Sequence, residues 1–140
     1  MLYEFEYQLF KSQLEHEETV VKLATTRDKI ERNKPCVIFY DRALGDMKAY
    51  MPSTMWSDIL SSFKMNEKDL VSRYDLVIHL VTAADGAIDF YTKSNNTART
   101  ETPAEAIDND RKVRDAWASI HHNVAVIPNG GFTKYFNIFT

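Results

Sequence analysis

Along the first third of the chain, Leu2, Phe5, Leu9, His16, Val20, Leu23 and Ala24 recur at spacings of three, four and seven, while Glu4, Glu6, Lys11, Glu15, Glu17, Glu18 and Lys22 take the other positions. That period predicts a long amphipathic helix over residues 2–32. Asn33-Lys34-Pro35 ends it, because the residue before a proline disfavours the helical region. Residues 36–40 are continuously apolar or half-apolar, the pattern of a short strand buried on both faces. Residues 42–51 read as a loop or short helix. Ser53 is placed to cap a helix reaching Phe63, with Trp56, Ile59 and Leu60 inward. Asn66 is placed to cap another reaching Tyr74. A second apolar run, 75–81, predicts a strand that leaves through Thr82-Ala83-Ala84-Asp85-Gly86. Residues 92–102 are polar and aperiodic, the composition of a mobile segment. Thr102-Pro103-Ala104-Glu105 has the signature of a capped helix start, and the helix should run to Ile120. A third strand, 123–127, stops at Pro128-Asn129-Gly130-Gly131, and residues 132–139 read as a last short helix.

Strands alternating with helices predict an α/β fold built on a mainly parallel three-stranded sheet, 36–40, 75–81 and 123–127, with flanking helices. In such folds ligands sit beyond the carboxyl ends of the strands. Asp41-Arg42, the Thr82–Gly86 loop and Pro128-Asn129 are therefore expected on one rim.

The length of 140 residues suits a single domain. A net charge of −3 gives no electrostatic case for nucleic acid or an anionic membrane surface. The one cysteine, Cys36, excludes an internal disulfide. No apolar run reaches the roughly 18 residues of a spanning helix, and no N-terminal signal pattern is visible, so the expected location is cytoplasmic.

Asp41 and Arg42 lead the chemistry. A carboxylate at a strand tip can hold magnesium or accept a hydroxyl proton, and the adjacent guanidinium can grip a phosphate or carboxylate. The plainer alternative is a surface ion pair closing a strand. Arg99, Arg111 and Arg114 lie in or after the polar segment, where a lid would bring positive charge to transferring phosphates; their alternative is solvated charge. His79, inside an apolar strand, reads as a satisfied core histidine. His121 and His122 are neighbours near a helix end and share no metal geometry, and one cysteine with scattered histidines gives no zinc spacing. An acid–base site on Asp41, Asp46 and His79 would need these three to converge on one pocket.

The segment from Cys36 through Asp41-Arg42 and Asp46 to Met51 resembles the Asp-Arg-Gly-x-x-Asp segment of a P-loop family. Arg73-Tyr74-Asp75 through Asp85-Gly86, Phe90-Tyr91-Thr92 through Arg99 to Pro103, and Ala106, Asp110-Arg111 and Trp117 carry the same resemblance. The family is the AAA-type ATP/GTP-binding P-loop domain, which includes the kinase domain of the NAD-regulator protein NadR and the eukaryotic TRPL translocation defect proteins. The resemblance implies a P-loop kinase-like three-layer fold that binds GTP or ATP with magnesium. It places Asp41 at the metal or acceptor, Arg42 beside substrate or phosphate, Arg99 and Arg111 in the lid, and Asn129 near the base. It also implies phosphoinositide or trafficking partners for eukaryotic relatives.

The chain departs from this pattern in three places. Ala43 stands where glycine is commoner, the tail from Gly130 diverges, and the family's first strand and G-x-x-x-x-G-K-S/T phosphate-binding loop do not occur, the chain holding only four glycines. The expectation is a single, N-terminally incomplete P-loop NTPase-like or kinase-like domain, inactive alone, with magnesium and nucleotide bound only in the intact protein. The alternative is a non-catalytic trafficking or scaffold module derived from the same family.

Overall fold

The computed structural model describes residues 1–31, 34, 36–91 and 101–129. The chain divides into two compact units, Met1–Leu70 and Val71–Thr140.

The first unit is helical. α1 spans Leu2–Ile30, with Arg27 and Lys29 in its last turn, where positive charge suits the carbonyl end of the helix. Thr19, Thr25 and Thr26 bond back to the carbonyls of Glu15, Val21 and Lys22, which keeps these β-branched residues compatible with the helix. The buried stripe is Phe10, Leu14 and Glu17. Leu2, Phe5, Leu9 and Leu23, on the face expected to be inward, are exposed. What decides the face is aromatic packing. Phe10 meets Phe63 at 5.1 Å and Trp56 edge-on at 6.1 Å, and Tyr7 stacks on Phe63 at 5.0 Å.

A 3-10 helix, Leu44–Tyr50, contributes fully buried Leu44. α2, Ser53–Ser62, buries Trp56, Ile59 and Leu60. Its cap is Pro52, with no side-chain cap bond, rather than Ser53. α3, Glu67–Val71, is opened by Asn66, whose Oδ1 accepts the Asp69 N–H while the Asp69 carboxylate accepts the Asn66 N–H, both at 3.0 Å.

The expected strand at 36–40 is absent. These residues carry no regular structure, and Val37 and Phe39 are 71% and 85% exposed. A strand exists only when its N–H and C=O groups meet a neighbouring strand, and the first unit holds none among the described residues. Its apolar run is held instead by Tyr40, whose hydroxyl donates to the Glu17 carbonyl at 3.5 Å.

The second unit is α/β. β1, Val77–Leu80, pairs in parallel with β2, Val124–Ile127, in the register Val77↔Val124 to Leu80↔Ile127. The sheet is two-stranded among the described residues, not three-stranded. A short 3-10 turn, Ile88–Phe90, follows β1. α4, Pro103–Ile120, connects the strands and starts with the expected capping box: Thr102 Oγ1 accepts the Glu105 N–H, and the Glu105 carboxylate accepts the Thr102 N–H. Val113, Ala116 and Trp117 are its buried face. Trp117 meets Tyr74 edge-on at 5.3 Å. His121 closes the helix. Its Nδ1 accepts the Asn123 N–H and its Nε2 donates to the Tyr74 carbonyl, both at 3.0 Å, which fixes the neutral tautomer. The short helix expected over 132–139 lies outside the described residues.

Candidate functional site

In the first unit, Asp41 and Arg42 form the bend between residues 36–40 and the 3-10 helix. Both are exposed. Arg42 adopts φ 71°, the left-handed region, which costs an arginine about 1–2 kcal/mol. Its Nη1 donates to Asp46 Oδ2 at 3.3 Å. Burial pulls the Arg42 guanidinium down, but the Asp46 charge and hydrogen bond, helped by Tyr50 and Asp41, outweigh it and raise its pKa above the ordinary value. Arg42 is therefore a permanent cation on a strained bend, with Asp46 as a tether and much of its fork open to solvent.

Magnesium at a nucleotide takes one or two carboxylates plus phosphate oxygens and waters. Exposed Asp41 suits that partial role. No cage of three His, Cys, Asp or Glu side chains occurs among the described residues.

In the second unit, the loops leaving β1 and β2 gather at the carboxyl end of the sheet. Asn129 Nδ2 donates to three carbonyls there: Val81 at 3.1 Å, Thr82 at 2.5 Å and Asp85 at 2.7 Å. Gly86 turns the chain with φ 89°. From α4, Asp110 reaches the same turn. Its Oδ1 accepts the Thr82 N–H at 2.8 Å and its Oδ2 accepts from His79 Nε2 at 3.1 Å. His79 is only 8% exposed, so the pair is a buried, satisfied one. Arg111, the next residue on α4, is exposed. Asp108 is held below the usual carboxylate range by its hydrogen bond to Lys112 and by that lysine's charge. Arg99 lies outside the described residues.

The resemblance puts Asn129 near the base; in the structure its amide nitrogen faces inward onto the carbonyls of the turn. Sequence reasoning missed Asp110 as the partner of His79. The available signal was a buried-strand histidine that needs a hydrogen-bond partner, set against an aspartate within an otherwise amphipathic helix.

A parallel strand pair joined through a helix is an α/β arrangement, with polar side chains gathered at its carboxyl end. Its family is more specific. A family model described as an AAA domain matches residues 5–134. The chain belongs to this AAA-type P-loop ATPase domain family. No curated protein and no solved structure matches it. No helix among the described residues is long and apolar enough to cross a membrane.

Proposed function

We propose that the chain is part of a GTP- or ATP-binding P-loop domain and does not turn nucleotide over by itself. The observation that carries this reading is the AAA-domain match, which spans Asp41-Arg42, Asp110-Arg111 and Asn129. Asp41 would hold a magnesium ion that is also bound by phosphate oxygens, and the ion would supply charge neutralisation there. Arg42, Arg99 and Arg111 would contact phosphates. The left-handed Arg42 supports its part, because such strain persists where function holds it.

Inactivity follows from the missing G-x-x-x-x-G-K-S/T. Each charge-assisted hydrogen bond that a phosphate loop provides is worth about 1.5–3 kcal/mol. Losing three weakens binding by roughly three to six powers of ten. The same absence favours a second reading, a non-catalytic module that no longer binds nucleotide.

Calorimetric titration of GTP and ATP, with and without magnesium, tests both. The expected dissociation constant is about millimolar or weaker, tightening when a strand–loop–helix carrying the missing motif is fused upstream. Micromolar binding by the 140 residues alone overturns the claim of inactivity. No gain on fusion overturns the nucleotide reading and leaves the non-catalytic module.

A further inference from the structure

The turn leaving β1 is fixed from two independent elements. Asn129, just beyond β2, gathers the Val81, Thr82 and Asp85 carbonyls on one amide nitrogen. Asp110, on α4, holds the Thr82 N–H with one oxygen and His79 with the other. Within the turn, Asp85 N–H donates to the Thr82 carbonyl at 2.9 Å, Ala87 N–H donates to the Ala83 carbonyl at 3.1 Å, and Ala84 N–H donates to Thr82 Oγ1 at 3.4 Å. Both backbone groups of Asp85 are therefore bonded, yet the residue itself is exposed. The result is a carboxylate on a fixed pedestal at the carboxyl end of a parallel strand, where α/β domains bind ligands.

The chemistry of that carboxylate selects the part of a ligand that it meets. A carboxylate repels phosphate and accepts from hydroxyl and amine groups. On a nucleotide, those donors belong to the ribose and the base. We propose that the Thr82–Gly86 turn is the nucleoside-facing part of the site, with Asp85 as the acceptor and Asp110 and Asn129 as positioning residues that hold the turn. This proposal rests on the nucleotide-binding reading. It also reassigns Asn129, whose amide nitrogen is occupied by carbonyls, from base contact to support.

The experiment is an amide chemical-shift titration of the isotope-labelled chain with four probes: magnesium GTP, magnesium ATP, the free nucleosides guanosine and adenosine, and inorganic tripolyphosphate. Concentrations up to about 10 mM reach the weak binding expected. One nucleoside should shift the amides of residues 82–86, and tripolyphosphate should not. Asp85→Ala should weaken that nucleoside about tenfold, the loss of one charge-assisted bond, without altering hydrogen exchange in the turn. Asp110→Leu and Asn129→Ala should speed that exchange and weaken the nucleoside together. Asp110→Asn keeps an oxygen for the Thr82 N–H and should restore both, a rescue that separates positioning from general loss of fold. Nucleotide shifts that avoid residues 82–86, or unchanged affinity in Asp85→Ala, overturn this proposal alone. If no probe shifts any residue, this proposal is overturned, while the nucleotide reading stands or falls with the upstream fusion.

Discussion

Replacing Glu67 should destabilise the first unit by an amount that depends on what replaces it. Its Oε1 accepts from Lys48 Nζ at 2.6 Å and from the Trp56 indole Nε1 at 2.8 Å. The Lys48 and Glu67 side chains are 24% and 42% exposed, so solvent screens the ion pair to about 0.5–1 kcal/mol. Trp56 is different, because it is 2% exposed. Without Glu67 its indole N–H has no acceptor, and a buried orphan donor costs about 1–3 kcal/mol. Glu67→Ala should therefore cost about 2 kcal/mol. Glu67→Gln keeps an acceptor for the indole and should cost about 0.5–1 kcal/mol, the charge alone. With a urea slope of about 1–3 kcal/mol per molar, the two midpoints should differ by roughly 0.5–1 M.

The assay is urea unfolding followed on the Trp56 indole resonance, which reports this unit directly. The pH dependence supplies a second check. Burial would raise the Glu67 pKa, but the Lys48 and Trp56 hydrogen bonds and the lysine's charge outweigh it, so the folded value lies below 4.5. A depressed carboxylate contributes fully above its unfolded pKa and is lost as pH falls through the folded one. Glu67→Gln should therefore flatten the acid side of the stability curve below pH 4.5 and leave the neutral range parallel to wild type. Equal midpoints for the alanine and glutamine variants would refute the orphaned-indole argument.

Three further outcomes follow from local geometry. Gly86→Ala should cost about 1–2 kcal/mol in thermal unfolding, from its φ of 89° rather than from a clash, since an added Cβ would meet the Asn129 carbonyl oxygen at an ordinary 3.5 Å; no measurable change would count against a left-handed turn. Thr102→Ala should lower α4 stability by about 1 kcal/mol, read by hydrogen exchange in its first turn. Phe39→Ala should fall within about 0.5 kcal/mol of wild type in urea unfolding, because the side chain is 85% exposed; a loss above about 2 kcal/mol would restore the buried strand at 36–40.

Local signals explain why the helices were legible in the sequence. Thr102, Pro103 and Glu105 specify the start of α4 through bonds that span three residues, and the Pro35 signal stands close to where α1 stops at Ile30. The strands β1 and β2 were likewise visible as apolar runs. Residues 36–40 have the same composition, but strand pairing is non-local, and composition does not record whether a partner is present. The inward face of α1 was misread for a related reason. Phe10 is chosen by Phe63 and Trp56, residues far along the chain, which the helical period alone does not record.

Residue type proved a poorer guide to role than the hydrogen-bonding capacity that remains after folding. Asp110 and Asp85 are both aspartates of the second unit, but both oxygens of Asp110 are engaged by His79 and Thr82, while Asp85 is bonded through its backbone and exposed. His79, read in sequence as a satisfied core histidine, is buried against the Asp110 carboxylate, and His121 has both nitrogens engaged. A buried group with all its partners supplied has little to offer a ligand, because exchanging those partners gains only the small net difference between two hydrogen bonds. An exposed group on a fixed backbone exchanges only water for the ligand, breaks no bond of the fold and orders little on binding. By that criterion the exposed Asp85 fits its proposed role as acceptor, and Asp110 and Asn129 fit theirs as supports of the turn. The arginine bend at φ 71° is open to the same test, since Arg42→Gly should relieve the strain and stabilise the first unit while removing the cation proposed to contact phosphate. Stability rising as nucleotide affinity falls in that variant is the pairing a functional strain requires. A variant that loses both would show instead that Arg42 serves the fold through Asp46.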